Sequence, residues 1–506
     1  MSVAVFESAA QHRDRTALID ASGEVRFGEL LDASERGAGA LLARVATPER
    51  VALLAPGGID YVVGQWSIWR AGACCVPLCT THPPPELAYA LDAARVSAVV
   101  VHPELASLIE PLARARSLPV LSTTELRAAG PLSASLPEVA LDAPALILFT
   151  SGTTGKPKGV VTTHRILNAQ IDAVVRGWEL TPADRIVHAL PLHHLHGILN
   201  ALCAMLAAGA SCELHPRFDA ERVASALAND RALTVFMAVP TMYARLSQRY
   251  DASSAIEQAA FTAGCSRMRL LVSGSAALPV AMLDRFRAIS GHTLLERYGM
   301  SELGMALGNP LHGERRAGSV GVPFPGVEVR LVGEHGELVP DGEPGEIQVR
   351  GPNVFREYFD RPDATREAFT SDGFFRTGDI AVRERGMHRI LGRESVDILK
   401  TGGFKVSALE IEDVLRTHES ILDCAVVGVP DDEWGQRVAA AVELRANASL
   451  DAAALREWGK QRMAPYKVPT LLHVLAGLPR NALGKVQKPD VLKLFQSSKS
   501  DIKPTA

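Results

Sequence analysis

The segment TSGTTGKPKG occupies residues 150–159 and lies between two segments of different character. Before it, residues 145–149 (ALILF) form an apolar run that is long enough for a buried strand and too short for a buried helix. After Val160 and Val161, apolar residues recur at helical spacing, which predicts a helix. The sequence therefore predicts a strand, a flexible loop and a helix in succession.

The loop itself is rich in groups that bind phosphate. Its three glycines allow the backbone to turn tightly and to approach a ligand, and successive N–H groups can then form an anion-binding concavity. Lys156 and Lys158 add positive charge. The loop differs from the Walker A pattern, in which Gly-Lys is followed by Ser or Thr, because Pro157 follows Lys156. A mobile surface loop with solvated lysines can have the same local composition. The choice between such a loop and a phosphate-binding loop therefore depends on the rest of the chain.

Length and composition limit the class of protein. A chain of 506 residues is too long for a single core, so two or more domains are expected. The net charge of -4 gives no general attraction to nucleic acid, and no apolar run is long enough to span a membrane. Residues 1–15 lack the apolar core of a signal peptide, which favours a cytoplasmic protein. The seven cysteines have neither a disulfide-framework nor a zinc-site spacing.

Strand and helix patterns alternate over residues 1–140, which predicts a largely parallel sheet covered on both faces. Further along, apolar strands at 233–239, 269–272 and 293–295 run into polar segments that we expect to be loops. Ligands of open α/β sheets bind outside the carboxyl ends of the strands. These three loops and residues 150–159 are therefore expected around one crevice.

The pattern changes after residue 318, where alternating segments separated by turn clusters predict a small antiparallel sheet or barrel. A domain boundary is expected between residues 392 and 393, because the following 110 or so residues form an α+β pattern of domain size. The predicted fold is thus α/β. It has a large N-terminal domain of stacked sheets with a small barrel-like subdomain over residues 1–392, and a small α+β domain over residues 393–506.

The loop at 150–159 resembles the signature loop of the adenylate-forming enzymes, which include acyl-CoA synthetases, adenylation domains of peptide synthetases and beetle luciferases. The resemblance continues in order through RYGMSE (297–302), TGD (377–379) and PRNALGK (479–485). It implies an enzyme that activates a carboxylate with ATP. The residues that it assigns to the nucleotide are Thr150, Ser151, Gly152, Thr153, Thr154, Gly155, Lys158, Tyr298, Gly299, Met300, Ser301, Glu302, Asp379 and Arg393.

Individual roles also follow from the resemblance. Glu302 matches the ligand of Mg²⁺, the metal that accompanies ATP, and Tyr298 matches the tyrosine that stacks on adenine. Asp379 matches the residue that holds both ribose hydroxyls, and Arg393 also contacts ribose. Lys485 matches the adenylation lysine, whose long side chain can reach the α-phosphate and the attacking carboxylate. The catalytic set is predicted to comprise Lys485, Glu302, Lys158 and His194.

The C-terminal domain is implied to be mobile and to complete the binding site for CoA. In the family this domain rotates after the adenylate forms, and a glycine-lined segment then opens a tunnel for pantetheine. That segment matches Gly402, Gly403 and Phe404. The spacing from Arg393 is one residue longer than the common pattern, so the predicted hinge is either Ser395 or Val396.

The candidate lining of the acyl pocket is basic and polar rather than apolar. It comprises Arg245, Ser275, Arg297 and His194. Guanidinium groups bind carboxylates bidentately, so two arginines suit a second carboxylate, although each arginine taken singly favours a surface ion pair. These residues resemble the malonyl-CoA synthetase branch, in which matching arginines and a serine bind the distal carboxylate. The resemblance implies a malonate–CoA ligase that forms malonyl-adenylate, with methylmalonate as a further substrate.

Other functions remain open on the sequence. One alternative is an acyl-CoA synthetase for another short-chain acid, in which Arg245 and Arg297 form structural ion pairs. Another is a non-catalytic nucleotide-binding sensor that keeps the crevice without turnover. A third is an adenylating enzyme that loads a carrier protein instead of free CoA. The sequence leaves the oligomeric state open, and Arg437 and Lys467 are candidates for contacts with the CoA phosphates.

Overall fold

A computed structural model describes residues 3–131, 135–150, 157–402, 404–431, 434–481 and 484–497. The chain divides into two compact units. The first comprises Met1–Leu278, Met282–Val329 and Val349–Phe375, and the second comprises Pro279–Ala281, Arg330–Gln348 and Arg376–Ala506. The predicted boundary between residues 392 and 393 stays a prediction. In the described part of the chain, no helix combines the length and the apolar content needed to cross a membrane.

The described residues form α-helices and β-strands throughout. The helices are α1 (Ala4–Gln11), α2 (Phe27–Arg44), α3 (Ile59–Arg70), α4 (Pro84–Ala93), α5 (Ala106–Arg114), α6 (Thr123–Arg127), α7 (His164–Gly177), α8 (Ala204–Ala207), α9 (Ala220–Asn229), α10 (Pro240–Asp251), α11 (Ala255–Arg267), α12 (Val280–Ser290), α13 (Pro362–Ala368), α14 (Ala408–Leu415), α15 (Ala452–Lys460) and α16 (Lys488–Ser497). A π-helix spans His196–Cys203, and short 3₁₀ helices span Pro103–Leu105 and Pro465–Lys467.

The strands are β1 (Thr16–Asp20), β2 (Gly23–Arg26), β3 (Arg50–Leu54), β4 (Cys74–Pro77), β5 (Ala98–Val101), β6 (Val120–Ser122), β7 (Pro144–Thr150), β8 (Lys158–Thr163), β9 (Arg185–His188), β10 (Ser211–Leu214), β11 (Val235–Ala238), β12 (Leu270–Ser273), β13 (Leu295–Met300), β14 (Gly304–Gly308), β15 (Val322–Pro323), β16 (Glu328–Val332), β17 (Pro344–Arg350), β18 (Glu357–Tyr358), β19 (Phe375–Glu384), β20 (Met387–Arg393), β21 (Ile398–Thr401), β22 (Phe404–Ser407), β23 (Ile421–Asp431), β24 (Gly435–Leu444) and β25 (Leu471–Leu475).

The first unit contains two large mixed sheets. Among the described residues, one sheet has the order β15-β14-β13-β12-β11-β9-β10-β1-β2 and the other has the order β18-β8-β7-β4-β3-β5-β6. Strands β9 to β13 pair in parallel, as do β3 to β6, and their central residues are fully buried. Buried apolar strands connected by helices are typical of parallel sheets covered on both faces. The predicted α/β fold class is confirmed.

The connection around residue 150 differs from the predicted strand, loop and helix. Strand β7 is confirmed, but β8 returns antiparallel to it, with Thr150 opposite Lys158, and helix α7 begins only at His164. The segment after Gly159 is VVTT, whose four β-branched residues favour a strand over a helix. Strands β7 and β8, on either side of the phosphate loop, therefore form an antiparallel pair. Residues 151–156 of this loop, including Ser151, Gly152, Thr153, Thr154 and Gly155, lie outside the described residues.

Two segments expected to be loops belong to regular elements. Residues 240–246 form the start of α10, with Pro240 at its first position, where the missing N–H costs nothing. Residues 295–300 continue as β13, which pairs antiparallel with β14. A Cβ on Gly299 would lie 2.0 Å from the carbonyl oxygen of Gly304, so glycine is required for this close backbone approach. Glu302 consequently lies in a tight hairpin turn instead of an open loop.

The second unit has its own sheet and core. Its sheet has the order β22-β21-β24-β23 among the described residues, and β25 pairs with β24. Successive residues of β23 face opposite sides, so Cys424 and Val426 pack in one apolar cluster and Ala425 and Val427 in another. A further sheet of the order β16-β17-β19-β20 stands where the sequence predicts a small antiparallel sheet or barrel.

His164, at the start of α7, is a buried histidine that should make the stability of the fold depend on pH. Its side chain is 1% exposed and lies edge-on to Trp69, and burial lowers its pKa to about 4. The neutral imidazole is therefore favoured in the folded state, and its contribution to stability is present above pH 6.5 and declines as the pH falls towards 4. Between these pH values, we expect His164 to lower the free energy of unfolding by up to about 1.4 kcal/mol for each unit by which the pH falls.

The measurement is urea denaturation of the wild type and of His164→Leu between pH 7 and pH 4.5. Below pH 6.5, the free energy of unfolding should decline less steeply with falling pH in His164→Leu than in the wild type. The matched control is His335→Leu, because His335 is exposed. Parallel pH profiles for the wild type and His164→Leu would contradict the expectation.

Candidate active site

Glu302 and Lys158 meet at the side chain of Tyr358 in the first unit. Glu302 is 6% exposed, and the Tyr358 hydroxyl donates a hydrogen bond to its Oε1 at 3.0 Å. The backbone carbonyl of Glu302 accepts from the N–H of Phe355 at 2.7 Å. Lys158 Nζ lies 4.8 Å from the centroid of the Tyr358 ring, which is a cation–π contact. The structure thus brings together the lysine of the phosphate loop and the predicted metal ligand.

The other predicted nucleotide residues that the structure describes in this unit are close to Lys158 or Glu302 in the sequence. Thr150 ends β7 opposite Lys158, and its Oγ1 lies 3.5 Å from the Lys158 carbonyl oxygen. The half-buried residues between Arg297 and Glu302 in the hairpin are Tyr298, Gly299, Met300 and Ser301. Tyr358 is the participant that the sequence interpretation missed. A tyrosine in a two-residue strand carries no local signal, and only its pairing with β8 places it here.

The donor set suits a metal that is held mainly by its nucleotide. Within the described residues, no group of three or more His, Cys, Asp or Glu side chains could hold a metal ion. Mg²⁺ typically uses one or two carboxylates and takes its remaining ligands from phosphates and water. A single buried carboxylate at Glu302, close to a lysine of the phosphate loop, fits Mg²⁺ bound together with ATP.

Arg297 is the centre of a second cluster, which includes Ser275 and His196. Its side chain is 5% exposed, and Nη2 donates to Ser275 Oγ at 3.1 Å. Ser275 Oγ also lies 3.2 Å from His196 Nδ1. Burial lowers the pKa of the Arg297 guanidinium to about 10, so it remains charged at neutral pH. Two of the three residues, Arg297 and Ser275, are predicted carboxylate ligands, and the structure brings them into contact.

Within the described residues, this cluster contains polar atoms without a partner. The Nε of Arg297 and the Nε2 of His196 are buried and have no hydrogen-bond partner there, and none of those residues forms an ion pair with Arg297. A buried cation without a counter-ion is costly, and a buried donor without an acceptor adds to that cost. The cluster is therefore arranged to receive an anion, and a carboxylate matches the guanidinium best.

The loop after β12 is shaped around the Arg297 side chain. A Cβ on Gly274 would lie 2.4 Å from Arg297 Nε, so glycine leaves the space that the guanidinium occupies. The next residue, Ser275, has a φ of 68°, in the left-handed region that a non-glycine residue rarely adopts. Such backbone strain is concentrated at functional sites, where the surrounding structure enforces it. Both features hold the Ser275 hydroxyl against Arg297.

Within the described residues, His196, and not His194, forms a hydrogen bond with Ser275. It begins the π-helix, an element that is frequent at functional sites, and Gly197 behind it packs so closely that a Cβ would lie 2.3 Å from the Pro191 carbonyl oxygen. His194 is half-buried and lies 4.2 Å from the His193 ring, and burial together with His193 lowers its pKa to about 3. The predicted role of His194 stays a prediction.

Within the described residues, Arg245 has no hydrogen bond or ion pair with Ser275 or Arg297. It is exposed on α10, whose buried face consists of Pro240, Met242, Tyr243, Leu246 and Ser247. Its predicted contact with a carboxylate stays a prediction.

In the second unit, Asp379 and Arg393 are direct neighbours across β19 and β20. Arg393 Nε donates to Asp379 Oδ1 at 2.9 Å, and Nη2 lies 3.4 Å from Oδ2. The Thr377 hydroxyl donates to the Ile347 carbonyl and accepts from the Asp379 N–H, which fixes the TGD segment. The structure thus places both predicted ribose residues side by side, with the arginine orienting the carboxylate. Their contacts with ribose stay predictions.

Lys485 and the predicted CoA residues also lie in the second unit. Lys485 is exposed, and its backbone N–H and carbonyl both form hydrogen bonds with Asn481. Gly402 has a φ of 55°, and a Cβ there would lie 2.9 Å from the Trp434 ring. Phe404 is 52% exposed and stacks on Tyr466. Gly403 lies outside the described residues.

The chain matches the family model described as AMP-binding enzyme over residues 5–359. It also matches the model described as AMP-binding enzyme C-terminal domain over residues 410–485. The chain belongs to the AMP-binding enzyme family. The family assignment made from the TSGTTGKPKG, RYGMSE, TGD and PRNALGK segments is confirmed.

Relatives within the AMP-binding family are similar over nearly the whole chain. The mitochondrial malonate–CoA ligase of Mus musculus is 45% identical over 533 residues, which cover 98% of this chain and 91% of the mouse protein. The crystal structure of ATP-bound MatB from Rhodopseudomonas palustris is 34% identical, with a TM-score of 0.91, and the match covers 98% of this chain and 100% of that one. A malonyl-CoA ligase with methylmalonyl-CoA and AMP bound is 38% identical, with a TM-score of 0.68 and coverage of 92% and 97%.

Proposed function

We propose that this member of the AMP-binding family is an ATP-dependent malonate–CoA ligase. It converts malonate, ATP and CoA into malonyl-CoA, AMP and pyrophosphate. The observation that carries the proposal is the Arg297 cluster, in which a buried guanidinium has no counter-ion among the described residues. A dicarboxylate can present one carboxylate to ATP and the other to Arg297, whereas a monocarboxylate leaves the buried charge unpaired.

The reaction proceeds in two steps that need no covalent enzyme intermediate. First, a carboxylate oxygen of malonate attacks the α-phosphorus of ATP, and the bond to the β-phosphate breaks to release pyrophosphate. Then the CoA thiolate attacks the acyl carbon of malonyl-adenylate, and AMP leaves as the thioester forms. Positioning and electrostatic stabilisation supply most of the catalysis in such transfers.

Each group of site residues has a defined part in this reaction. Lys158 and the loop residues Thr150, Ser151, Gly152, Thr153, Thr154 and Gly155 hold the triphosphate, and Glu302 would hold Mg²⁺. When bound, Mg²⁺ neutralises charge on the phosphate oxygens. Asp379 and Arg393 orient the ribose, Tyr298 stacks on adenine, and Lys485 reaches the α-phosphate. The segment with Gly402, Gly403 and Phe404 lines the path of pantetheine after a rotation near Ser395 or Val396.

Names of relatives support the choice of acid. The mouse relative is named a malonate–CoA ligase, and the related ligase with methylmalonyl-CoA bound supports methylmalonate as a second substrate. The Arg297 cluster gives this choice a physical basis, because a guanidinium that donates to Ser275 can also bind a carboxylate. The mouse relative is mitochondrial by name, so a cytoplasmic location for this chain stays a prediction.

The test is CoA-dependent release of AMP with malonate, methylmalonate, propionate, hexanoate and benzoate. We expect the highest kcat/KM with malonate, then methylmalonate, and low values with the three monocarboxylates. An equal rate with propionate would instead indicate a ligase for another short-chain acid. If no acid gave pyrophosphate, the protein would be a nucleotide sensor. AMP release only with a pantetheinylated protein would indicate loading of a carrier.

A further inference from the structure

Tyr358 contacts two groups of the nucleotide site with different parts of one side chain. Its hydroxyl donates to Glu302 Oε1 at 3.0 Å, and its ring lies 4.8 Å from Lys158 Nζ. The residue is 8% exposed, so neither contact competes much with bulk water. Glu302 follows β13 and Lys158 begins β8, in two different sheets of the first unit. Tyr358 therefore connects the phosphate loop with the carboxylate turn.

The backbone around Tyr358 is fixed from both sides. Tyr358 lies opposite Val160 in the pairing of β18 with β8, and the Phe359 N–H donates to the Gly159 carbonyl at 2.8 Å. On its other side, the Tyr358 N–H donates to Thr365 Oγ1 at 3.0 Å. The position of the ring is consequently set by the same strand that carries Lys158.

The chemistry of the hydroxyl suits the orientation of a carboxylate. A tyrosine hydroxyl donates one charge-assisted hydrogen bond, and a carboxylate has about four lone-pair sites. One such bond fixes the plane of the Glu302 carboxylate without exhausting its capacity to bind a cation. Groups that hydrogen-bond a metal-binding carboxylate typically change metal affinity by about 10- to 100-fold when they are removed.

We propose that Tyr358 is a positioning residue that orients Glu302 for Mg²⁺ and Lys158 for the triphosphate. The inference rests on the proposed function only in taking MgATP as the bound nucleotide. The hydroxyl and the ring carry separable tasks: the hydroxyl acts on the metal ligand, and the ring acts on the lysine.

Two substitutions separate these tasks. Tyr358→Phe removes the hydroxyl and keeps the ring over Lys158, whereas Tyr358→Leu removes both. Calorimetry would measure ATP binding in EDTA and in a Mg²⁺ series, without acid or CoA. For Tyr358→Phe we expect the Mg²⁺ concentration at half-effect to rise about 10-fold or more, with ATP affinity in EDTA unchanged. For Tyr358→Leu we expect a similar Mg²⁺ shift and, in addition, weaker binding of ATP in EDTA.

Tyr89→Phe is the matched control. The Tyr89 hydroxyl donates to the Pro157 carbonyl at 2.7 Å, so this variant removes another hydroxyl beside the same loop without touching Glu302. Its Mg²⁺ dependence should equal that of the wild type. The proposal is overturned if Tyr358→Phe stays within twofold of the wild type, or if Tyr89→Phe shows the same shift. Failure of the proposed function is separate, since it would appear as absent malonate-dependent AMP release in a wild type that still binds ATP with Mg²⁺.

Discussion

Replacing Arg297 with alanine is expected to remove most of the preference for malonate. The guanidinium is buried and bonded to Ser275, and no carboxylate of the described residues offsets its charge. Removing one partner of a buried, hydrogen-bonded charge pair costs roughly 2–5 kcal/mol. The kcat/KM for malonate should therefore fall by roughly 30-fold to a few thousand-fold, at about 1.4 kcal/mol per factor of ten. The measurement is CoA-dependent AMP release with malonate and propionate.

The ratio of kcat/KM for malonate to kcat/KM for propionate is the decisive quantity. Propionate offers no second carboxylate, so its kcat/KM should change little or rise when the unpaired cation is removed. A second variant, Gly274→Ala, keeps the charge but places a methyl group 2.4 Å from Arg297 Nε, and should lower the malonate rate in the same direction by a smaller factor. Gly477→Ala is the control, because its added Cβ meets no atom within 4 Å. An equal loss of kcat/KM with malonate and propionate would show that Arg297 has a structural role and does not bind the second carboxylate.

The parts of the fold that local patterns determine were predictable from the sequence. Residues 145–149 and 233–239 are short apolar runs, and each contains a strand close to the expected bounds. Helix α2 lies within residues 1–140, where helix and strand patterns were expected to alternate, and its buried apolar residues recur at helical spacing. The hairpin partner β8 was not predicted, since the glycine-rich loop before it and the amphipathic helix after it favoured a direct connection.

Contacts across the sequence could not be read from local patterns. Ser275 meets Arg297 because β12 and β13 pair in parallel with Ser273 opposite Glu296, a register that no local pattern determines. The choice of His196 over His194 likewise depends on the geometry of the π-helix. The resemblance to a family located the candidate ligands, while the structure determined which of them touch. Tyr358 was missed for the same reason, because its position depends on a pairing of only two residues with β8.

Lys488 is expected to be the most costly charged residue to replace in the second unit. Its Nζ lies 2.5 Å from Asp397 Oδ1 and 2.7 Å from Glu412 Oε1, and its side chain is 11% exposed. Burial alone would lower the pKa of Lys488, but Glu412 and Asp397 raise it above the ordinary value. The ion pair is therefore complete at neutral pH, and its contribution to stability is lost only as the pH rises through the raised pKa, above about 10.4.

Lys488→Met would leave the two carboxylates buried without this cation. Breaking a buried pair in this way costs about 3–5 kcal/mol, so the urea midpoint of the second unit should fall markedly. The control is Lys493→Met on the same helix, where Lys493 is 70% exposed and pairs with Asp490 at the surface, which should cost less than about 1 kcal/mol.

The position of Lys488 connects stability with the reaction. It lies three residues after Lys485, and its partner Asp397 accepts from the backbone N–H of Arg393 at 3.0 Å. The triad of Lys488, Asp397 and Glu412 thus connects the segment that follows Lys485, the predicted adenylation lysine, with the strand end that carries Arg393, the predicted ribose ligand. Below the unfolding transition, Lys488→Met should therefore also slow malonate-dependent release of pyrophosphate, whereas Lys493→Met should not. Equal midpoints for the two variants would show that the carboxylates are satisfied without Lys488, and that the triad contributes little to holding the second unit together.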